Sequence, residues 1–372
     1  MSELFDFLKY CLGAKSDVNK VIAGIDWQML YSFAFKQALL GLCFDGIERL
    51  GKEYPEELRL NPIGRELLMT WMGKAQQIRR QNVKVNGVAA KLYSKFREDG
   101  LRCCILKGQG NALMYPNPYS RTSGDIDVWV NASREEITEH AKCHFNLEDD
   151  IRFHHLETTM DGVPVELHFF PCTMNNPLYH ARLQKWFKRN ADLQCSNVVC
   201  LPDGIGEIAI PTTAFNVVYQ LTHLYHHFFD EGIGMRQIID YYYVVISDYL
   251  LVINDESLGI RDTLQKELKH LGLWKFAGAV MYVLHKALGL PEEKMIAPMD
   301  EKRGKLLLTE ILNGGNFGQH FTKYGHFTRQ GMAKKYFLKI WRNMHFVRYY
   351  PAEALSEPIF RTWHFFWRLR QK

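Results

Sequence analysis

No apolar run in the 372-residue chain approaches the ~18–20 residues that a membrane span requires. The N-terminus, MSELFDFLKYCLG, lacks a basic stretch followed by a continuous apolar one, so no secretory leader is expected. The eight cysteines (Cys11, Cys43, Cys103, Cys104, Cys143, Cys172, Cys195 and Cys200) form no C-x-x-C pair. That spacing argues against a zinc site or a disulfide framework, and thiols inside apolar runs suit a reducing compartment. A cytoplasmic protein is expected. There is no internal repeat and no low-complexity segment. With 47% hydrophobic and 23% charged residues, disordered, collagen-like and coiled-coil readings are set aside.

Net charge is also small, at +5, but it is unevenly placed. Phe321 to Lys372 carries eleven Lys or Arg against two Glu, and the rest of the chain sums to −4. Such asymmetry could mark a surface for a polyanion. Trp341, Phe346, Phe366 and Trp367 in this tail stand at helical spacing, which favours core or interface over nucleic acid, with the cations on the solvated side.

The first hundred residues read as helical. Segment 26–50 has apolar residues at helical spacing, and Asn61-Pro62 opens a second pattern that runs to Arg97 and closes at Glu98-Asp99-Gly100. The texture then changes. Arg102–Leu106 is a strand candidate running into Lys107-Gly108-Gln109-Gly110, a short helix over 111–115 and the turn-rich loop PNPYSRTSG. DIDVWV over 125–130 reads as a strand, and Ser133 with Glu136 forms a capping box for a helix over 133–145. IRFHHLETTM and VPVELHFF flank Asp161-Gly162, a strong hairpin signal. Beyond Pro211 helices are expected over 212–229, 233–250, 260–289 and 304–313. The fold class is therefore α/β or α+β. A core over 99–205 would carry a mixed sheet, with helical regions over 1–98 and 206–372.

Asp125 and Asp127 are two apart on a predicted strand, so both project from one face. Paired carboxylates repel unless a cation lies between them, and hard oxygen ligands suit Mg²⁺ with substrate phosphates. A second metal needs a third carboxylate, and Glu166, charged within an apolar strand, is the candidate. The amides of Gly108 and Gln109 in the glycine-rich turn could cradle phosphates, with Lys107 and Arg121 adding positive charge.

The ordering LKG, Arg121, GDIDVWV, VELHF resembles the polymerase-beta-like nucleotidyltransferase superfamily. It is closer still to the bacterial family of uncharacterised nucleotidyltransferases, which has LKG, a loop arginine, D-I-D and a carboxylate two positions before a histidine. That family also has a later H…GxR…D stretch, here His223 and His226, then Gly234-Met235-Arg236 and Asp240. The chain departs from the superfamily in Gln109, in the seventeen positions from Gly108 to Asp125, and in Glu166 where Asp is usual.

The resemblance implies transfer of a nucleoside monophosphate from an NTP such as ATP to an acceptor hydroxyl by a two-metal mechanism using two Mg²⁺. His168 shares a face with Glu166. His223, His226, Arg236 and Asp240 are read as lining the substrate cleft. No H-E-x-x-H accompanies His223, His226 and His227, so zinc is not expected there. Two other readings stand beside this one: a non-catalytic nucleotide-binding or regulatory module, and a toxin–antitoxin component that modifies a partner protein with AMP. The acceptor, whether small molecule, protein side chain or RNA end, is left open.

Overall fold

In the computed structural model of the chain, residues 2–14, 17–147, 152–247, 255–321 and 332–371 are described. Ile151 and residues 248–250, parts of an expected strand and helix, lie outside them. The fold is α+β, as the alternation of patterns implied. Its sheet has the order β1-β2-β4-β3, with β1 Cys103–Leu106, β2 Ile126–Val130, β3 His155–Met160 and β4 Val163–His168. β1 pairs antiparallel with β2, β2 parallel with β4, and β4 antiparallel with β3. A further two-stranded ladder, β5 Val198–Cys200 with β6 Glu207–Ala209, was not foreseen.

The period of two decides what each face of the sheet meets. Cys103, Ile105, Ile126, Val128, Val130, Val165 and Leu167 point into a core shared with Val85, Ala89, Leu92 and Phe96 of the helix Arg65–Glu98, and with Ile137 and Ala141 of Arg134–His144. On the other face Cys104, Leu106 and Trp129 join the larger helical core, where Trp129 stacks on Phe215 at 5.8 Å. The same alternation places Asp127 and Glu166 on this second face, where apolar packing gives way to a cleft.

The larger core draws on both ends of the chain. Phe7 and Leu30 lie in it with Phe228, Val280 and Phe346. The single helix expected over 26–50 is two, Trp27–Lys36 and Leu40–Glu53. Its break is imposed from outside. Ala38 sits at φ +57°, and the buried Gln37 amide donates to Ile311 O at 3.0 Å and accepts from Met235 N at 2.8 Å. The Ala38 carbonyl thereby turns outward to accept from Thr122 Oγ1 at 2.8 Å.

The expected helix over 260–289 is likewise two, Asp255–His270 and Trp274–Leu288, parted at Gly272 with φ +73°. The expected 233–250 helix spans Met235–Ile246, and the 304–313 helix lengthens to Glu301–Gly314. The helix Pro177–Ser196 was not foreseen.

The C-terminal helices Met332–Met344 and Pro351–Gln371 correct one expectation. Phe346 is core and stacks on Phe228 at 4.5 Å, while Trp367 lies 5.6 Å from Phe153. Trp341 and Phe366 stay exposed. The cations do not all point to solvent: Lys339 and Arg361 bind Asp230 at 2.6 and 2.9 Å, and the fully buried Arg342 lies 3.5 Å from Glu310. Apolar burial carries these charges inward because each meets a carboxylate there. No helix of the described residues is long and apolar enough to cross a membrane.

Candidate active site

Turn chemistry fixes the first part of the site. Asp161 at φ +51° and Gly162 at φ +70° make the tight hairpin turn that D-G favours. A two-residue turn leaves one register, so Glu157 faces Glu166 and His155 faces His168. The parallel ladder then sets Asp127 beside Glu166 and Trp129 beside His168. Asp127, Glu166, His155 and His168 thus share one face at one end of the sheet. The sequence reading put Asp125 on the strand, but it directly precedes β2 and is exposed at the cleft mouth.

Lys107 links β1 to the short helix Gly108–Ala112 with φ +49°, a backbone state that a non-glycine residue rarely adopts. Gly108 follows at φ +45°. This reversal brings Lys107 Nζ to 3.0 Å from Asp127 Oδ1 and 2.7 Å from His223 Nε2. The Gln109 side chain turns away from the cleft, and its amide donates to Asn86 Oδ1 at 2.6 Å.

His168 Nε2 approaches Asp127 Oδ1 at 3.1 Å and Glu166 Oε2 at 3.2 Å. His155 Nδ1 lies 3.3 Å from the same Glu166 oxygen. Burial would raise the Asp127 carboxyl, but Lys107 and His168 outweigh it and hold the group well below its ordinary value. Burial opposes charge on His168 too. Its bonds to Asp127 and Glu166 nevertheless push it up to about 9. Glu166, raised by burial, ends below its usual value because His168 outweighs that effect. Asp125 has no such partner. Repulsion from Asp127, with that from Glu166, pushes it up to about 6. Asp127 and Glu166, side by side, and Asp125 at the mouth offer hard oxygen donors of the kind that divalent cations take.

The loop before Asp125 is held from several sides. Asn82 Nδ2 donates to the carbonyls of Tyr119 and Arg121 at 2.8 and 2.7 Å, and Ser120 Oγ donates to Asp45 at 2.8 Å. Arg121 was expected to meet the triphosphate. Instead its guanidinium binds Asp240 with two bonds of 2.8 and 2.7 Å, buried on both sides, and Tyr115 Oη adds a third bond to Asp240 at 2.7 Å. Burial disfavours charge on Asp240, but Arg121 outweighs it and holds the carboxyl low.

The pocket at this point is lined by Lys107, Gly108, Asp125, Asp127, His223 and Arg236, among others. Arg236 Nη1 donates to Thr122 O at 2.7 Å and its Nε is buried without a hydrogen-bond partner. Its guanidinium lies over the Phe317 ring at 5.6 Å. Of the later histidines, His223 reaches the cleft and pairs with His227 at 3.0 Å, whereas His226 turns to Thr173 Oγ1 at 3.2 Å.

Sequence reasoning missed His155, although the D-G turn supplies the register that places it opposite His168. It also missed the reciprocal amide pair of Asn111 and Gln220, at 3.1 and 2.7 Å, which ties the short helix to Thr213–Asp230. No local signal announces that pair.

A family model described as an uncharacterised nucleotidyltransferase matches residues 23–289. Among solved structures, the crystal structure of an antigenic nucleotidyltransferase-like protein from Paracoccidioides brasiliensis is similar over 50% of this chain and 92% of that chain, at 16% identity and a TM-score of 0.29. No curated protein matches the chain.

Proposed function

Because the chain belongs to the uncharacterised nucleotidyltransferase family, we propose that it transfers a nucleoside monophosphate from an NTP to an acceptor hydroxyl. The observation that supports this most is that Asp125 and Asp127 line one pocket with Lys107 and Arg236, while Glu166 stands beside Asp127 in the parallel ladder. Asp125 and Asp127 would hold a Mg²⁺ together with the triphosphate. Asp127 and Glu166 would hold a second divalent ion at the acceptor. The two ions supply charge neutralisation and polarise the acceptor oxygen.

The chain's own groups do the rest. Lys107 and Arg236 face the phosphates with positive charge, and the amides at Gly108 and Gln109 donate to them. Arg236 takes the place expected for Arg121, whose charge is already met by Asp240. The acceptor oxygen attacks the α-phosphorus, its proton passes to Glu166, and the bond to the β-phosphate breaks to release pyrophosphate. Rate enhancement would rest on alignment and electrostatics, as phosphoryl transfer generally does.

Thermal shift with each of the four NTPs, with and without Mg²⁺, tests the reading. A metal-dependent rise with at least one NTP, lost in Asp125→Asn, is expected. No shift with any NTP would overturn the donor site. Glu166→Gln should lower turnover far more than NTP binding, and an equal loss of both would remove its proposed role at the acceptor.

A further inference from the structure

The nucleotidyltransferase reading treats the metal donors as carboxylates only, yet an imidazole nitrogen stands among them. His168 is buried, and its Nε2 lies 3.1 Å from Asp127 Oδ1 and 3.2 Å from Glu166 Oε2. These three ligand atoms fall within 4.8 Å of one another. Donors at right angles around a six-coordinate ion with bonds of ~2.1 Å lie ~3.0 Å apart, which is the spacing of His168 from each carboxylate. His155 Nδ1 approaches the same Glu166 oxygen at 3.3 Å. Among the described residues, Asp125 belongs to no such cluster with a histidine.

We propose that the acceptor-side ion is bound by Asp127 and Glu166 through oxygen and by His168 through Nε2, so that this position selects a divalent transition ion such as Mn²⁺ over Mg²⁺. Magnesium prefers oxygen donors and water, whereas imidazole nitrogen suits first-row transition ions. The two positions of the site therefore differ in kind: one is all oxygen and suits Mg²⁺, the other is mixed. The inference rests on the nucleotidyltransferase reading of the three carboxylates. On binding, the ion takes the place where His168 and Lys107 now meet Asp127 Oδ1, and Lys107 keeps its contact with His223.

The test uses the full chain carrying His144→Ala, which removes a separate cluster of Asp99, His140 and His144 outside the cleft. Mn²⁺ and Mg²⁺ binding are titrated without nucleotide, by Mn²⁺ electron paramagnetic resonance and calorimetry. Mn²⁺ is expected to bind at least tenfold more tightly than Mg²⁺. His168→Gln should weaken Mn²⁺ at least tenfold and leave Mg²⁺ within about twofold. A gain in affinity for both ions in His168→Gln would show that the imidazole only stands in for a cation, and no change for either ion would show that it is not a ligand. Both results overturn the inference.

A second measurement needs no variant at His168. Pulsed resonance on the Mn²⁺-loaded chain should show coupling to a directly bound ¹⁴N, and its absence overturns the inference. Equal Mn²⁺ and Mg²⁺ binding with NTP shifts intact would sink the metal preference alone. Loss of all divalent binding would sink the nucleotidyltransferase reading with it.

Discussion

The Lys107 ammonium lies 3.0 Å from Asp127 Oδ1, on an oxygen that His168 Nε2 also approaches at 3.1 Å. A half-buried ammonium and a buried imidazole thus share one buried carboxylate, while Asp125, at the cleft mouth, forms no ion pair among the described residues. The two aspartates of D-I-D are therefore inequivalent, and their removal should have different consequences.

Asp127→Asn should cost stability as well as turnover. It leaves Lys107 and His168 facing each other without their anion, a loss of about 3–5 kcal/mol if both remain charged. Asp125→Asn removes a repelled carboxylate and should keep or slightly raise the melting temperature without metal, while turnover falls about a hundredfold or more. Melting curves and turnover on the two variants, measured side by side, check the contrast. Equal melting temperatures would contradict it.

The buried pair of Arg121 and Asp240 holds the loop that precedes Asp125. Asp240→Asn strands the Arg121 charge and should cost about 3–5 kcal/mol in a denaturant titration. The double change Arg121→Met with Asp240→Leu should recover most of that loss, because neither member then remains as a lone buried charge. A double variant no more stable than Asp240→Asn would show that the pair's role lies in shape and not in charge.

Gly41 lies directly under the Ser120 carbonyl, and a Cβ there would overlap it. Gly41→Ala should displace the 116–124 loop and cost about 1–3 kcal/mol. Turnover should fall through misplacement of Asp125, although residue 41 lies outside the pocket lining. Unchanged kinetics would mean that the loop tolerates the shift.

Glu353 accepts from the amides of Asn175 and Asn176 at 2.5 and 3.2 Å, and burial pushes its carboxyl up to about 7. The folded protein therefore holds this proton more tightly than the unfolded chain, where the ordinary value is 4.5. Stability from this group is complete below about 4.5 and is lost as pH rises through 7. Melting temperature should fall between about pH 4.5 and 7, and the fall should be shallower in Glu353→Gln. A slope unchanged in that variant would assign the dependence elsewhere.

What could be read in the sequence is what local rules govern. The alternation of DIDVWV and VPVELHFF, with a D-G turn between two strands, carried Asp127 and Glu166 to a common face. The capping box of Ser133 and Glu136 formed as expected. The break at Ala38 was hidden because its cause, Gln37 bonding to Met235 and Ile311, lies some two hundred residues or more away. The pairing of Arg121 was hidden for the same reason: its partner Asp240 is 119 positions on. The inward-facing cations of the tail also depend on distant carboxylates, Asp230 for Lys339 and Glu310 for Arg342. Periodicity identifies which side of a helix is apolar, but it does not reveal the ion pairs that another helix brings to it.

The parallel pairing of β2 with β4 has a consequence for how the chain acquires its chemistry. Parallel neighbours cannot be joined by a tight turn, so the segment between them, with the helix Arg134–His144 and β3, must be in place before Glu166 meets Asp127. A nascent chain emerging from the ribosome carries Lys107, Asp125 and Asp127 well before it carries Glu166 and His168. The growing polypeptide thus holds an incomplete donor set until the hairpin closes against β2, and a product terminated ahead of residue 163 lacks the strand that completes it.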